Sequence, residues 1–180
     1  IKALIMRIIK ITSSVLLALA LPLMGACSEQ SPQVHKATSS ADSIKKQELK
    51  LTVYKDKNCG CCKGWIEHIN QSDINTKAID ADDMGLIKSQ YQIKPNQRSC
   101  HTAVSANGFV FEGHVPAKFI KQFLSEKHPA HIIGLTVPAM PLGTPGMEMG
   151  DAFHKYNIEF ITTNTTTGVY KHISQYDEQF

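Results

Sequence analysis

The chain has 180 residues, 42% of them hydrophobic, which is enough for one globular domain with a buried core. Three of its 19 Lys and Arg residues, Lys2, Arg7 and Lys10, lie in the first 27 residues, which hold no acid. The other 16 are matched by 16 Asp and Glu residues. Because no basic surplus is left to neutralise phosphates, the composition argues against a nucleic-acid partner.

The N-terminal segment is typical of an exported protein. Basic residues precede an apolar run over residues 15–24, which is too short and too interrupted by proline for a membrane span. The sequence LMGAC that ends at Cys27 resembles a bacterial lipobox. Residues 1–27 are therefore predicted to be a signal peptide with a lipobox, lipidated at Cys27. Cleavage of an ordinary signal peptide near Ala26 is the alternative.

An export signal places the rest of the chain in the periplasm, and a lipid at Cys27 would anchor it to a membrane. Residues 28–47 are polar and rich in Ser and Thr, which predicts a flexible tether. Residues 48–180 are predicted to form a single domain.

Strand and helix patterns then alternate along the chain. They predict strands over 48–56 and 74–80, helices over 62–71, 82–93 and 116–127, and a hairpin over 101–115 that turns at Asn107-Gly108. This order, β-α-β-α-β-β-α, is that of a thioredoxin-like α/β domain. Residues 132–151 are rich in Pro, Gly and Met and follow neither period, so they predict a loop. Residues 156–173 predict an added C-terminal hairpin.

The sequence DKNCGCCKGW places Cys59, Cys61 and Cys62 between the first strand and the first helix. The free N–H groups and the macrodipole of a helix N-terminus favour thiolates there. Cys59 and Cys62 have the spacing of a thiol–disulfide exchange pair on one side of the turn, whereas Cys61 is expected to point elsewhere. Three thiolates so close together repel one another, so a soft cation would stabilise them. Two structural disulfides are the alternative, since four cysteines permit three pairings.

In thioredoxin-like domains, a segment that enters the third strand faces the active-site cysteines. SCHTAV occupies that place here, so Cys100 and His101 are predicted to face the three cysteines. The alternative is that Cys100 is a small buried hydrophobe and His101 a surface residue. His114 in EGHVP follows the hairpin, where a single histidine is as compatible with a structural role as with a ligand.

The Pro- and Gly-rich loop carries Met140, Met147 and Met149, and no helical period explains them as core residues. Thioether sulfur is a soft ligand that forms no disulfide, which suits copper in an oxidising compartment. The alternative is that these methionines are apolar side chains that pack loosely over the hydrophobic core. Sulfur and imidazole donors together favour copper, because zinc gains little from thioether and calcium or magnesium would need clustered carboxylates.

Four blocks of the sequence are similar to successive blocks of the CopG-like family of periplasmic copper-handling proteins: VYKDKNCGCCKGW, SCHTAV, FEGHVP and VPAMPLGTPGMEMG. The resemblance implies a thioredoxin-like fold, bound copper, and a role in copper handling that includes interconversion of Cu(I) and Cu(II). By position it implies the ligands Cys59, Cys61, Cys62, Cys100, His101, His114, Met140 and Met147. Met149 lies outside the family pattern, and Ala139 and Thr144 stand where the family usually has Gly and Ser.

Two functions of different classes follow. The first is a copper-binding protein of the cell envelope that holds copper or changes its oxidation state, with a copper- or electron-transfer protein as partner. The second is a periplasmic thiol–disulfide oxidoreductase with Cys59 as nucleophile and Cys62 as resolving thiol. A dithiol enzyme has no use for Cys61, Cys100 or the methionines, which favours the first. A structural zinc or disulfide module is a third option.

Overall fold

The computed structural model describes residues 48–166 and 168–180, which fold around one seven-stranded mixed sheet. The predicted signal peptide, Cys27 and the tether up to residue 47 lie outside the described residues. Within the described ranges, no helix is long and apolar enough to cross a membrane.

The first four strands and first two helices follow the predicted order. They are β1 (Leu49–Lys55), α1 (Gly60–Gln71), β2 (Ile74–Asp80), α2 (Met84–Gln90), β3 (His101–Ser105) and β4 (Val110–Glu112). β1 pairs parallel with β2 and antiparallel with β3, which pairs antiparallel with β4. Asp83 caps α2 by accepting hydrogen bonds from the N–H groups of Gly85 and Leu86.

α3 (Ala117–Ser125) follows β4, begins directly after Pro116 and buries Phe119, Ile120 and Phe123 against the sheet. Its apolar residues recur at helical spacing, as the sequence predicted. The helix crosses from β4 to the next strand, and a crossover of this kind allows the two strands to pair in parallel.

That next strand, β5 (Ile132–Thr136), corrects the sequence analysis, which predicted only a loop from residue 132 onward. β5 pairs parallel with β4 and antiparallel with β6 (Tyr156–Thr162). The last three residues of β5, Gly134, Leu135 and Thr136, are all buried. Because successive side chains point to opposite faces, both faces of the strand are covered there, and no alternation of polar and apolar residues is needed. The period-of-two signal was therefore missing from IIGLT although the segment is a strand.

β6 and β7 (Val169–Ile173) form the predicted C-terminal hairpin, and a short 3₁₀ turn (Tyr176–Gln179) follows it. The strand order across the sheet is β2-β1-β3-β4-β5-β6-β7. The hairpin thus extends the same sheet, with β5 joining it to the first four strands.

Two apolar clusters cover opposite faces of the sheet. The larger one packs Trp65 and Ile69 of α1 and the apolar face of α3 against the strands. The smaller one joins Ile93, Val110 and Ile161. Neighbouring residues Val110 and Phe111 enter different clusters because successive side chains of a strand point to opposite faces.

The pairing register brings several chain segments to one edge of the sheet. Lys55, the last residue of β1, pairs with His101, the first residue of β3. Thr102 pairs with Glu112 at the end of β4, and Glu112 pairs with Thr136 at the end of β5. Four segments therefore begin or end at this edge: the cysteine turn (residues 56–62), SCH (99–101), EGHVP (112–116) and the loop between β5 and β6 that carries the methionines (137–155), called the methionine loop below.

Candidate metal centre

Four cysteine sulfurs meet at this edge. The Sγ atoms of Cys59, Cys61, Cys62 and Cys100 all lie within 4.8 Å of one another. Cys59 and Cys62 form a disulfide with their Cα atoms 5.3 Å apart, while Cys61 and Cys100 are free thiols. Cys100 thus faces the three-cysteine turn, and the alternative of two structural disulfides does not describe this structure.

Cys61 does not point away from the other sulfurs, contrary to the expectation from helical spacing. Its Sγ lies 3.5 Å from that of Cys59. Cys59 is the N-cap residue of α1 and has an extended backbone (φ −72°, ψ 97°), so helical spacing does not apply between residues 59 and 61. The turn therefore gathers all three of its sulfurs in one place.

Cys100 also belongs to a second group of donors, with His101 and His114. Its Sγ is 3.2 Å from Nδ1 of His101 and 3.0 Å from Nε2 of His114. Nδ1 of His114 lies 2.7 Å from the carbonyl oxygen of Pro145, which can only accept, so Nδ1 carries the hydrogen. Nε2 of His114 then presents its lone pair to Cys100, which is the tautomer that a metal ligand needs.

Burial keeps this second group in its neutral form. Burial lowers the pKa of His114. Burial, and then the electrostatic cost of a second positive charge beside His114 and Lys88, holds the pKa of His101 well below the usual range. Burial and the neighbouring Cys61 raise the pKa of Cys100 to about 12. A metal that binds Cys100 must therefore displace a proton, so binding is coupled to proton release.

His101 has an unsatisfied nitrogen. The residue is fully buried, and its Nε2 has no hydrogen-bond partner among the described residues. Its ring centroid is 4.3 Å from that of Trp65 and 5.1 Å from that of His114. A buried polar atom without a partner is costly, and this nitrogen is not the one that faces Cys100.

The methionine loop is attached to both sides of the cysteine cluster through its backbone. The residue before Met140, Ala139, accepts a hydrogen bond from the Ser99 hydroxyl, next to Cys100. The residue before Met147, Gly146, packs on the first turn of α1. Met140 is 50% exposed, Met147 is half-buried, and Met149 is 65% exposed. The loop thus carries Met140 and Met147 on segments that are fixed beside the cysteines.

Sequence reasoning missed a buried ion pair behind Cys100. Lys88 of α2 and Glu112 of β4 are joined at 2.6 Å with 7% and 0% of their side chains exposed. Glu112 is the only acid in the otherwise apolar strand segment FVFE, and this is the signal that could have indicated it. No comparable signal marks Lys88, whose partner lies on another element.

The donor set suits a soft metal. Thiolate sulfur and imidazole nitrogen are the ligands that Cu(I) prefers, and reduction of the Cys59–Cys62 disulfide would release two more thiols at the site. No other group of three or more Cys, His, Asp or Glu residues among the described ranges has its ligand atoms this close together. The cysteines and histidines gathered at this edge of the sheet, where β1 and β4 end and β3 begins, are therefore the candidate metal centre.

Comparison with known proteins supports this placement. A family described as "Protein of unknown function, DUF411" matches residues 97–147, which span the SCH, EGHVP and methionine segments. Two solved structures, copper resistance protein CopG in Form 2 and in Form 1, are 35% and 36% identical to this chain. They align over 71% and 72% of it and 100% of their own length, each with a TM-score of 0.66.

The chain belongs to the CopG family. The resemblance inferred from the four sequence blocks is thereby confirmed, and the mixed α/β architecture is shared with the two CopG structures. No protein of curated function matches the sequence.

Proposed function

We propose that this CopG-family protein binds copper in the bacterial cell envelope as part of copper handling or resistance. The observation that carries the proposal is the cluster of four cysteine sulfurs within 4.8 Å, one of which also contacts two buried imidazoles. The copper resistance proteins that this chain resembles add support.

The proposed ligands are the eight residues implied by the family resemblance. Cys59, Cys61, Cys62 and Cys100 supply thiolates after reduction of the disulfide, and His101 and His114 supply imidazole nitrogen. Met140 and Met147 supply thioethers from the loop. Soft sulfur donors select Cu(I) over harder ions, and zinc gains little from thioether.

Counting bound Cu(I) tests this function. The fully reduced protein is titrated with Cu(I) without oxygen, and bound copper is measured after removal of free ion. We expect at least one tightly held copper per chain in the wild type and a clear loss of bound copper or affinity in Cys61→Ser. Weak Cu(I) binding that is the same in the wild type and in Cys61→Ser would contradict the proposal.

The methionines offer a matched pair of variants in the same loop. We expect Met147→Leu to weaken Cu(I) binding, because it removes a sulfur donor while keeping an apolar side chain of similar size. Met149→Leu, at an exposed position outside the family pattern, is expected to bind copper as the wild type does. Equal effects of the two substitutions would remove Met147 from the ligand set.

The Cys59–Cys62 disulfide favours a second, overlapping candidate, an oxidoreductase. In the balanced reaction, the two thiols reduce two Cu(II) to two Cu(I), form the disulfide and release two protons. A thiol–disulfide oxidoreductase would instead pass the same two electrons to or from a protein disulfide. Copper exchange or electron transfer with a protein partner belongs to either version.

Stoichiometry distinguishes these reactions. The copper reaction predicts two Cu(I) formed per disulfide when reduced protein meets Cu(II), with loss of activity in Cys59→Ser. A dithiol enzyme predicts disulfide exchange with a model substrate that survives Cys61→Ser and Cys100→Ser. Retained exchange in those variants without Cu(I) formation would favour the thiol–disulfide function.

We also propose that the fold is thioredoxin-like. The first seven strands and α-helices run β-α-β-α-β-β-α, and the cysteine turn lies between β1 and α1, where thioredoxin-like domains carry their active-site cysteines. The additions to that scaffold are β5, the methionine loop and the C-terminal hairpin. An experimental structure in which β1 to β4 do not superpose on a thioredoxin domain would contradict this assignment.

The proposed location is the periplasm, with a lipid anchor at Cys27 and residues 28–47 as tether. Fractionation of cells tests it: the wild type is expected with the membranes and Cys27→Ser in the soluble envelope fraction. A wild type that fractionates with Cys27→Ser would exclude the anchor.

A further inference from the structure

The Lys88–Glu112 ion pair lies beside the candidate metal centre but supplies none of its proposed ligands. Nζ of Lys88 is 2.6 Å from Oε1 of Glu112, and both side chains are almost completely buried. Taking two charges out of water is costly, and apolar residues of similar volume often stabilise a fold as well or better. The pair therefore calls for a role beyond stability.

The contacts of the Glu112 carboxylate indicate that role. Its Oε1 accepts a hydrogen bond of 2.6 Å from the backbone N–H of Ser99, and its Oε2 accepts one of 2.6 Å from the Thr102 hydroxyl. Ser99 and Thr102 are the residues on either side of the Cys100-His101 pair. One carboxylate thus holds both ends of the segment that carries a thiol and an imidazole of the site.

Glu112 also lies two residues before His114, in the chain segment that carries the second imidazole. The backbone N–H of Gly113, between them, donates to the carbonyl oxygen of His101 at 2.9 Å. The same short segment therefore fixes His114 relative to Cys100, whose Sγ is 3.0 Å from Nε2 of His114.

Lys88 completes a closed ring of contacts. Its ammonium donates to Glu112 and, at 3.3 Å, to the same Thr102 hydroxyl that donates to the carboxylate. Without Lys88 the carboxylate would be a buried charge with no counterion, which is strongly unfavourable. Lys88 thus allows an ionised carboxylate, the strongest available acceptor for two hydrogen bonds, at this buried position.

We propose that Glu112 and Lys88 are positioning residues of the copper site, which hold Cys100 and His101 in fixed register with His114. This inference rests on the proposed copper-binding function and deepens it. Groups behind the ligands that fix their orientation typically change metal affinity 10- to 100-fold when they are removed. The Lys88–Glu112 pair is then retained because it fixes the geometry of the ligands, although neither of its side chains binds the copper.

The test compares three variants of the reduced protein. Glu112→Gln keeps the shape of the side chain but removes the charge and one acceptor oxygen. Thr102→Val removes the hydroxyl that donates to the carboxylate and accepts from Lys88. Thr136→Val is the matched control: Thr136 is also fully buried, but its hydroxyl donates to the carbonyl oxygen of Gln97 at 2.8 Å. All three substitutions cost a buried hydrogen bond. Thr136 lies next to Glu112 in the sheet, but its hydroxyl does not bond the carboxylate, so only the first two substitutions remove hydrogen bonds of the proposed positioning unit.

Two quantities are measured for each variant: the Cu(I) dissociation constant by competition with a chelator, and the unfolding midpoint of the metal-free protein. X-ray absorption at the copper edge also counts the sulfur and nitrogen neighbours of the bound ion. We expect Cu(I) affinity to fall about 10- to 100-fold in Glu112→Gln and less in Thr102→Val. In both variants the bound copper should have fewer nitrogen neighbours, or nitrogen neighbours that are less well ordered. Thr136→Val is expected to lower the unfolding midpoint while keeping wild-type Cu(I) affinity.

The outcomes separate this inference from the function on which it rests. A wild type that binds no Cu(I) overturns the proposed function. A wild type that binds Cu(I), with Glu112→Gln and Thr102→Val as tight as Thr136→Val, overturns the positioning role alone. Where Glu112→Gln does not fold, Thr102→Val and the charge-free double variant Lys88→Met/Glu112→Gln decide the question by the same comparison.

Discussion

His114 illustrates how a single residue is arranged at the proposed copper site. Its Nδ1–H donates to the Pro145 carbonyl, so its Nε2 lone pair faces Cys100. Burial lowers the pKa of both His101 and His114 and raises the pKa of Cys100 to about 12. All three groups are therefore neutral near pH 7 in the metal-free protein, and they can exchange a single thiol proton for a soft cation.

These pKa shifts predict how the stability of the metal-free protein depends on pH. Both imidazoles bind protons more readily in the unfolded chain, so stability is complete above the ordinary histidine value of 6.5 and falls as the pH drops below it. Each imidazole contributes up to about 1.4 kcal/mol per pH unit. The Cys100 thiol ionises more readily in the unfolded chain, so stability also falls as the pH rises above the ordinary value of 9.0.

Denaturant unfolding over a range from roughly pH 5 to pH 11 measures this dependence. His114→Gln is expected to have a flatter acid limb than the wild type. His172→Gln serves as the control, because His172 is exposed on β7 and contacts Asn157. A stability curve with no acid limb, or one whose acid limb is unchanged in His114→Gln, would contradict the argument.

At the scale of elements, the contact between the methionine loop and α1 builds the site. Gly146 lies against the first turn of the helix with φ of +84°, a backbone region that favours glycine. A Cβ on this residue would lie 2.7 Å from the carbonyl oxygen of Cys61 and 2.9 Å from the carbonyl carbon of Gly64. The preceding residue, Pro145, is the one that orients His114. Close approach of loop and helix thus links the cysteine turn to the histidine.

We predict that Gly146→Ala destabilises the protein by about 2–4 kcal/mol, because it combines left-handed backbone strain with a clash against α1. It should also weaken Cu(I) binding, since moving Pro145 releases the His114 ring. Gly150→Ala is the matched control in the same loop: its φ is +57°, but a Cβ there meets nothing within 4 Å.

The control should cost about 1–2 kcal/mol, which is the backbone strain alone, and leave copper binding unchanged. Denaturant unfolding and Cu(I) competition are measured on both variants. Equal losses of stability would mean that the contact between Gly146 and α1 contributes nothing to the fold.

At the scale of the whole molecule, the C-terminal hairpin and the turn after it hold the methionine loop through hydrogen bonds. The buried side chain of Gln179 accepts a hydrogen bond of 2.7 Å from the Tyr156 hydroxyl of β6 and donates one of 2.9 Å to the carbonyl oxygen of Gly143. Gly143 belongs to the methionine loop. The added strands are therefore connected to the loop, and through the loop to His114 and α1.

Gln179→Ala tests this connection. It leaves the Tyr156 hydroxyl and the Gly143 carbonyl without their partner in the interior, so we expect a loss of about 1–3 kcal/mol in the free energy of unfolding. Gln175→Ala, at an exposed position four residues earlier, should change stability by less than about 0.5 kcal/mol. If thermal or denaturant unfolding gave the two variants the same stability, the turn would not hold the loop in place.

The sequence by itself determined the features that depend on near neighbours along the chain. The alternation in β1, the helical face of α3 and the turn at Asn107-Gly108 were all predicted correctly, because periodicity and turn residues act over a few positions. The four family blocks likewise identified the CopG family, which the two solved structures confirm. The candidate donors were named from residue type and spacing together with the family resemblance.

Only the tertiary structure decided what depends on contacts between distant residues. β5 shows no alternation because it is buried on both faces of the sheet. The N-cap backbone of Cys59 brings Cys61 to the other sulfurs. The partnership of Lys88 and Glu112 arises because α2 packs beside β1 and β3, so that Lys88 reaches Glu112 on β4, 24 residues further along the chain. Local patterns therefore predicted which residues could bind a metal, whereas strand register and loop packing brought them together and supplied the carboxylate that holds them.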